Sequence, residues 1–320
     1  MREQGVEFDE ADHAPLDGED AAGMPPADVE AANRTAIDGF HFLRARAEGN
    51  FGYSPHSSRK LAAMMVEAAK GKTREELVAA FGFAGDEATR RTRDSETSKA
   101  LAKGIGPAVS LTVANALWTP EGLNLQADFA ALAKQRFGLT HLTYPIGNQQ
   151  AAAQGVNAWA RNVAGPKEQD WIRADALTGN GLMLANRVNM TGQWASAFPP
   201  QQTKPRVFTL AGGKQTRIPT MFQTQVFPYA AGNDWQLLSL PFARSDLEML
   251  VLLPQSHAVL AKVESGITLD WWKASASALA NDKFIHVMLP RFKFSTLFDC
   301  SGLWQAHGVK SLFSINADLS

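Results

Sequence analysis

The order of its periodicities constrains this chain more than any other feature. Apolar residues recur at helical spacing through most of residues 27–163, whereas the segments from 182 to 289 read mainly as strands. Strand and helix do not alternate regularly. That order predicts an α+β fold rather than a doubly wound parallel sheet.

Val29, Ala36, Ile37, Phe40 and Leu43 mark a helix over Ala27–Ala47, stopped by Gly49. Phe51–Tyr53 reads as a short extended piece. Ser54-Pro55 is an N-cap followed by proline at the first helical position, with Leu61, Met64, Met65 and Ala68 as the buried stripe. Thr73-Arg-Glu-Glu76 has capping-box spacing and is expected to open a helix to about Phe81. Helices are also expected over Asp86–Lys103, Leu125–Phe137 and Gln149–Val163, around Leu260 and Trp271-Trp272, and over Asp299–His307 before Gly308. Strands are expected at Ser110–Trp118, Leu139–Tyr144, Leu182–Thr191, Arg206–Leu210, Gln215–Thr224, Trp235–Leu240, Leu247–Leu253 and Phe284–Leu289. In the first of these, Leu111, Val113, Asn115 and Leu117 alternate with Thr112, Ala114, Ala116 and Trp118.

Charge separates the two ends. Residues 1–32 carry ten acidic groups against one basic group, a net of −9, which leaves +8 for residues 33–320 and −1 for the whole chain. Residues 1–26 lack periodicity and are expected to be a disordered acidic leader ahead of a folded domain over 27–320. Met1–Glu10 has neither the basic start nor the apolar stretch of a signal peptide. No apolar run approaches the roughly 18 residues of a membrane span. Cys300 is the single cysteine, which excludes an intramolecular disulfide and a thiolate metal site.

Catalytic motifs fail on inspection. Gly52-Tyr-Ser54-Pro-His56 imitates a nucleophile elbow, but Pro55 has no N–H for an oxyanion hole and His56 replaces the second glycine. Gly71-Lys72-Thr73 imitates the end of a P-loop, but Val66 stands where the first glycine belongs. Gly104-Ile-Gly106 lacks a third glycine. The seven histidines are scattered without ligand spacing. The expectation is therefore a protein that is not an enzyme and uses no cofactor or metal. Arg90, Arg91, Arg93, Lys99 and Lys103 gather on one predicted helix, diluted by Asp86, Glu87, Asp94 and Glu96. They read as a solvated face or, alternatively, as a polyanion site; without interleaved aromatics they do not suggest nucleic acid.

Several motifs in register resemble the serpin family. Asn50-Phe-Gly-Tyr-Ser54-Pro55-His-Ser57-Ser58 is similar to its N-x-x-x-S-P-x-S segment, and Leu61-Ala-Ala-Met64 and Gly71-Lys-Thr73 continue it. Ala114-Asn115-Ala116-Leu117-Trp118, the run from Leu184 through Asn186 and Gly192 to Trp194 and Phe198, Thr203 with Phe208, and the pairs Leu253-Pro254 and Leu289-Pro290 follow in family order. Leu303, Gly308, Leu312-Phe313 and Asn316-Ala-Asp-Leu-Ser320 complete the match. Departures occur at Ala164–Glu168, at Met190 and Gln193, and at Ile218-Pro-Thr-Met221.

The resemblance implies three β-sheets and about eight or nine helices, a monomer, and inhibition of serine or sometimes cysteine proteases by suicide trapping. The protease cuts an exposed reactive loop and forms an acyl-enzyme; the loop then inserts as a strand in the largest sheet. The resemblance places Ser54, Ser57 and Asn186 in the shutter beneath the opening of that sheet, and Trp194 at the breach where insertion begins. Asn157 and Trp159 fall on a helix that must move during insertion. In the family, A-D-L-S precedes the loop and the closing strands, so residues 1–320 are expected to form an incomplete serpin-like domain without the reactive bond. They are expected to form no detergent-stable complex with a trypsin-like or chymotrypsin-like protease. Family habit implies an extracellular protein, against a cytoplasmic one given the absence of a visible signal. A non-inhibitory serpin-scaffold remnant or binding protein is the alternative, and an unrelated α+β protein the third reading.

Overall fold

Ser54 and Pro55 show how local chemistry shapes the first half of the chain. In the computed structural model, which describes residues 26–165, 169–177, 181–210, 212–281, 283–293, 296 and 299–319, the Ser54 hydroxyl accepts the Ser57 amide at 3.2 Å. Pro55 opens the helix, as expected. Nine α-helices and nine strands occur among the described residues. The first helices are α1 (Pro26–Arg44), α2 (Pro55–Ala68), α3 (Gly71–Phe81) and α4 (Glu87–Ile105). Then come β1 (Val109–Pro120), α5 (Ala127–Phe137), β2 (Leu139–Tyr144), α6 (Gln149–Ala164) and β3 (Met183–Gly192). The strand-rich part holds β4 (Lys204–Thr209), β5 (Gln215–Val226), β6 (Tyr229–Ala231), β7 (Trp235–Pro241) and β8 (Glu248–Pro254). It closes with α7 (Leu260–Ser265), α8 (Leu269–Ser277), β9 (Phe284–Pro290) and α9 (Ser301–Ala306). The expected leader, apart from Pro26, lies outside the described residues, as do Pro166–Glu168 of the altered turn.

Gly82 and Gly138 end α3 and α5 at φ 60°, a left-handed conformation that a side chain resists. The expected capping box at Thr73 is a correction. Helix α3 begins two residues earlier, at Gly71, with Lys70 as a cap whose side chain makes no bond. Thr73 and Glu76 therefore lie inside the helix and reach across to the end of the chain. The Thr73 hydroxyl accepts the Asp318 amide at 3.1 Å, and the Glu76 carboxylate accepts the Lys310 and Ser311 amides at 2.7 and 2.6 Å.

Three three-stranded sheets organise the molecule, in the orders β2-β1-β3, β4-β5-β9 and β6-β7-β8. In the first, β1 pairs parallel to β2 and antiparallel to β3, with Asn115 opposite Asn186 and Leu117 opposite Leu184. The alternation expected of β1 puts Ala116 and Trp118 against α6, in a cluster with Val156, Trp159 and Ala160. The other face carries Leu117, which packs with Met64 of α2 and Ala133 and Phe137 of α5. A second core joins α2 and α3 to α9, where Trp304 meets Phe81 edge to face at 5.3 Å and donates its indole N–H to Ser58 at 2.9 Å. The two remaining sheets share a core of Phe227, Leu240 and Val287. No helix among the described residues is long and apolar enough to cross a membrane.

Candidate functional site

Strand β3 is the last strand of its sheet in the order β2-β1-β3, and no strand among the described residues pairs with its outer edge. An unpaired edge carries a row of N–H and C=O groups that can template another strand. Along β3, Met183–Val188 are half-buried and Asn189–Gly192 are exposed. The sheet is therefore covered at one end and open at the other.

Beneath the covered end lies a polar chain. The Asn186 amide donates to the Asn115 side-chain oxygen at 2.7 Å, and the Asn115 amide donates to the Phe137 carbonyl at 2.6 Å. This run links β3 through β1 to the end of α5. The Asn186 oxygen is buried without a hydrogen-bond partner, which leaves an acceptor unused at the sheet edge. Ser54 and Ser57 are brought together, with hydroxyls 2.8 Å apart. Among the described residues no hydrogen bond joins that pair to Asn186; Leu61 of α2 and Leu184 of β3 instead pack against the same apolar cluster. Asn115 and Ser58 were not singled out as site residues. Asn115 could have been, because an amide inside the apolar run Ala114–Trp118 needs a buried partner.

On the opposite face α6 is latched by Asn157 and Trp159. The Asn157 oxygen accepts the Trp171 and Ile172 amides at 2.7 and 3.0 Å, and its NH2 donates to the Ile172 carbonyl at 2.8 Å. Asn157 thus pins the strap that leads from α6 towards β3. Trp159 sits between two other indoles, edge to face with Trp118 at 5.4 Å and with Trp171 at 5.6 Å. Sheet, helix and strap are joined by one aromatic stack, each pair adding roughly 0.5–1.5 kcal/mol beyond burial.

At the open end Trp194 stacks on Phe242 at 4.7 Å and meets Phe198 at 6.4 Å. The chain leaves β3 here and docks beside β7, where Ala195 donates to the Pro241 carbonyl at 2.9 Å and Ala243 to Gln193 at 2.8 Å. Gly192 is needed for this approach: a Cβ would lie 2.6 Å from the Phe242 ring.

The cations of α4 do not form one outward face. Arg91 pairs with Glu67 and Glu87, at 2.7 and 2.6 Å, and Arg93 pairs with Asp28 at 3.4 Å. Arg90 donates to the Gly85 carbonyl at 2.5 Å. Lys99 and Lys103 are exposed.

Comparison with known proteins agrees with this arrangement. The family model for Serpin (serine protease inhibitor) matches residues 30–320. Neuroserpin of Mus musculus is 25% identical over 301 residues, which cover 91% of this chain and 73% of that protein. The leukocyte elastase inhibitor of Bos taurus is 29% identical over 311 residues, covering 91% and 80%. An uncharacterized serpin-like protein of Methanosarcina mazei is 23% identical, covering 89% and 68%. The fold superposes on cleaved Serpin 42Da with a TM-score of 0.77 at 25% identity, over 92% of this chain and 79% of that one. A loop-inserted, cleaved ovalbumin mutant gives 0.80 at 21% identity, over 92% and 82%.

Proposed function

This chain belongs to the serpin family, and from that premise we propose that it carries the scaffold of a serine or cysteine endopeptidase inhibitor of the trapping type, in which the cleaved reactive loop, which in the family follows the A-D-L-S segment, inserts alongside β3. The family match over residues 30–320 carries the reading, and among the described residues the outer edge of β3 is unpaired. A strand laid along the ten residues of β3 would make several ladder bonds, each adding about 0.5–1.5 kcal/mol net, besides burying alternate side chains. That is the driving force the trapping step needs once a protease has formed its acyl-enzyme.

The surrounding residues suit the same step. The chain Asn186–Asn115–Phe137 supports an assignment to the shutter, because it ties β3 to β1 by hydrogen bonds that re-form when strands part. Ser54 and Ser57 support the base of that region through the cap of α2. Trp194 and Phe242 mark the open end where a loop would enter. Helix α6 packs on one face of the sheet, and on this reading the Asn157 and Trp159 latch must yield for insertion to proceed. The cations of α4 remain proposed for a polyanion at Arg90, Lys99 and Lys103, since Arg91 and Arg93 already have carboxylates.

Two experiments test the reading. The full gene product, mixed with trypsin-like, chymotrypsin-like and elastase-like proteases, is expected to give a 1:1 complex that survives detergent and heating. Cleavage without such a complex would instead favour a non-inhibitory scaffold. A twelve-residue peptide of alternating threonine and alanine, added to residues 1–320, is expected to raise amide protection along Met183–Gly192. Unchanged protection there would remove the insertion edge from the argument.

A further inference from the structure

A cavity of about 400 Å³ lies between α1, α2 and α4, away from the sheet, with the end of α5 at its far side. That size suits a small organic molecule. One part of its wall is apolar: Ala32 and Ala36 of α1, Ala63 and Val66 of α2, and the rings of Phe83 and Phe137. The rest is charged. Three carboxylates line it, and each is matched: Asp28 by Arg93 at 3.4 Å, Glu67 by Arg136 at 2.8 Å, and Asp94 by Lys60 at 2.6 Å.

Two lining guanidiniums are left over. Neither Arg59 nor Arg90 has a carboxylate within ion-pair distance among the described residues. Arg59 donates to the Phe81 carbonyl and lies over the Phe83 ring at 4.4 Å. Arg90 donates to the Gly85 carbonyl. A guanidinium has five N–H donors, so both retain donors. Burial pushes the Arg59 pKa below its usual value, and its nearest carboxylates, Asp28 and Asp94, are already engaged. His56, on the same wall, is also pushed down by burial and brings no positive charge at neutral pH. A largely desolvated cation whose nearby carboxylates are shared with other cations is under-compensated, and a bound anion would relieve it.

We propose that this cavity binds a small amphipathic organic acid, its acid group accepting from Arg59 and Arg90 and its apolar body lying against Ala63, Val66, Phe83 and Phe137. Helix α4 is the wall that opens to admit it. That helix has no buried residue and is held by a side-chain network of Lys60, Asp94, Arg136, Glu67 and Arg91. Elements without buried apolar contacts open at the lowest cost.

The test uses the 320-residue chain with decanoate as probe and decanol as its uncharged counterpart, followed by calorimetry and thermal unfolding. Decanoate is expected to bind once per chain and raise the melting temperature, with decanol at least tenfold weaker. Filling the cavity by Ala63→Leu and removing a cation by Arg90→Gln should each weaken decanoate at least tenfold, with unchanged circular dichroism. If Ala63→Leu fails to fold, Arg90→Gln carries the test alone, because among the described residues the Arg90 side chain bonds only the Gly85 carbonyl. Equal affinity for decanol, binding indifferent to Arg90→Gln, or no binding at millimolar decanoate would each overturn the proposal.

Discussion

Replacing Asn157 with alanine tests the latch on α6 most directly. The side chain is buried and makes three hydrogen bonds to the strap, two from the Trp171 and Ile172 amides and one to the Ile172 carbonyl. Each is worth about 1 kcal/mol net, and more where the freed backbone group stays dry. The strap also holds Trp171 against Trp159 at 5.6 Å, a contact worth roughly 0.5–1.5 kcal/mol. Together these give a loss of about 3.5–4.5 kcal/mol if no water replaces the amide. At about 2.1 cal/mol/K of unfolding entropy per residue, roughly 0.7 kcal/mol/K for a chain of this length, the melting temperature should fall by about 5–7 °C. Urea unfolding followed by circular dichroism measures the global loss. Hydrogen exchange of the segment 169–177 measures the local one, and its protection should fall further than that of α2. A loss below about 1 kcal/mol, with the Trp171 and Ile172 amides still protected, would refute the latch.

Three further outcomes are expected. Asn186→Ala strands the Asn115 oxygen and should cost about 1–2 kcal/mol by urea unfolding, while Asn115→Ala also frees the Phe137 carbonyl and should cost more; the reverse order would break the proposed chain. Burial lowers the pKa of His56 and of His307 below 6.5, so the unfolded chain takes up protons first as pH falls. Stability should then drop between pH 6.5 and the folded pKa values, with no contribution above that window, and His56→Gln with His307→Gln should flatten the drop; an unchanged pH profile would contradict the burial argument. Burial, reinforced by Asp299, pushes the Cys300 thiol up to about 11, so a disulfide reagent at pH 8 should label the native chain far more slowly than the urea-unfolded chain; equal rates would place Cys300 at the surface.

Much of this molecule is legible from sequence where neighbours along the chain make the decision. The Ser54-Pro55 cap, the end of α3 near Phe81, the Leu139–Tyr144 strand and the two faces of β1 all rest on local sterics or on a period of two, and the expected elements match the observed ones to within a few residues. The strand β6 is three residues long, too short for its alternation to register. The errors arise where a polar side chain has a choice of partners. Thr73 and Glu76 have capping-box spacing, yet their partners are the Asp318, Lys310 and Ser311 amides more than 230 residues away. The cations of α4 look alike in sequence. Carboxylates on α1 and α2 turn Arg93 and Arg91 inward, and the fold leaves Lys99 and Lys103 outside.

The candidate site divides in the same way. Motif resemblance picked out Asn186, Trp194, Asn157 and Trp159, since those residue types stand at fixed places in an ordered pattern. It could not supply what each one touches: Asn115, Phe242, the Ile172 backbone and the Trp118–Trp171 stack belong to other elements. Sequence alone determined the order of helices and strands and the face each presents, because those follow from backbone sterics and the burial of apolar periodicities. Tertiary structure alone decided which strand edge stays open, which amide bonds which, and which charges remain unpaired, because a hydrogen bond or ion pair depends on distances that only the packed chain sets.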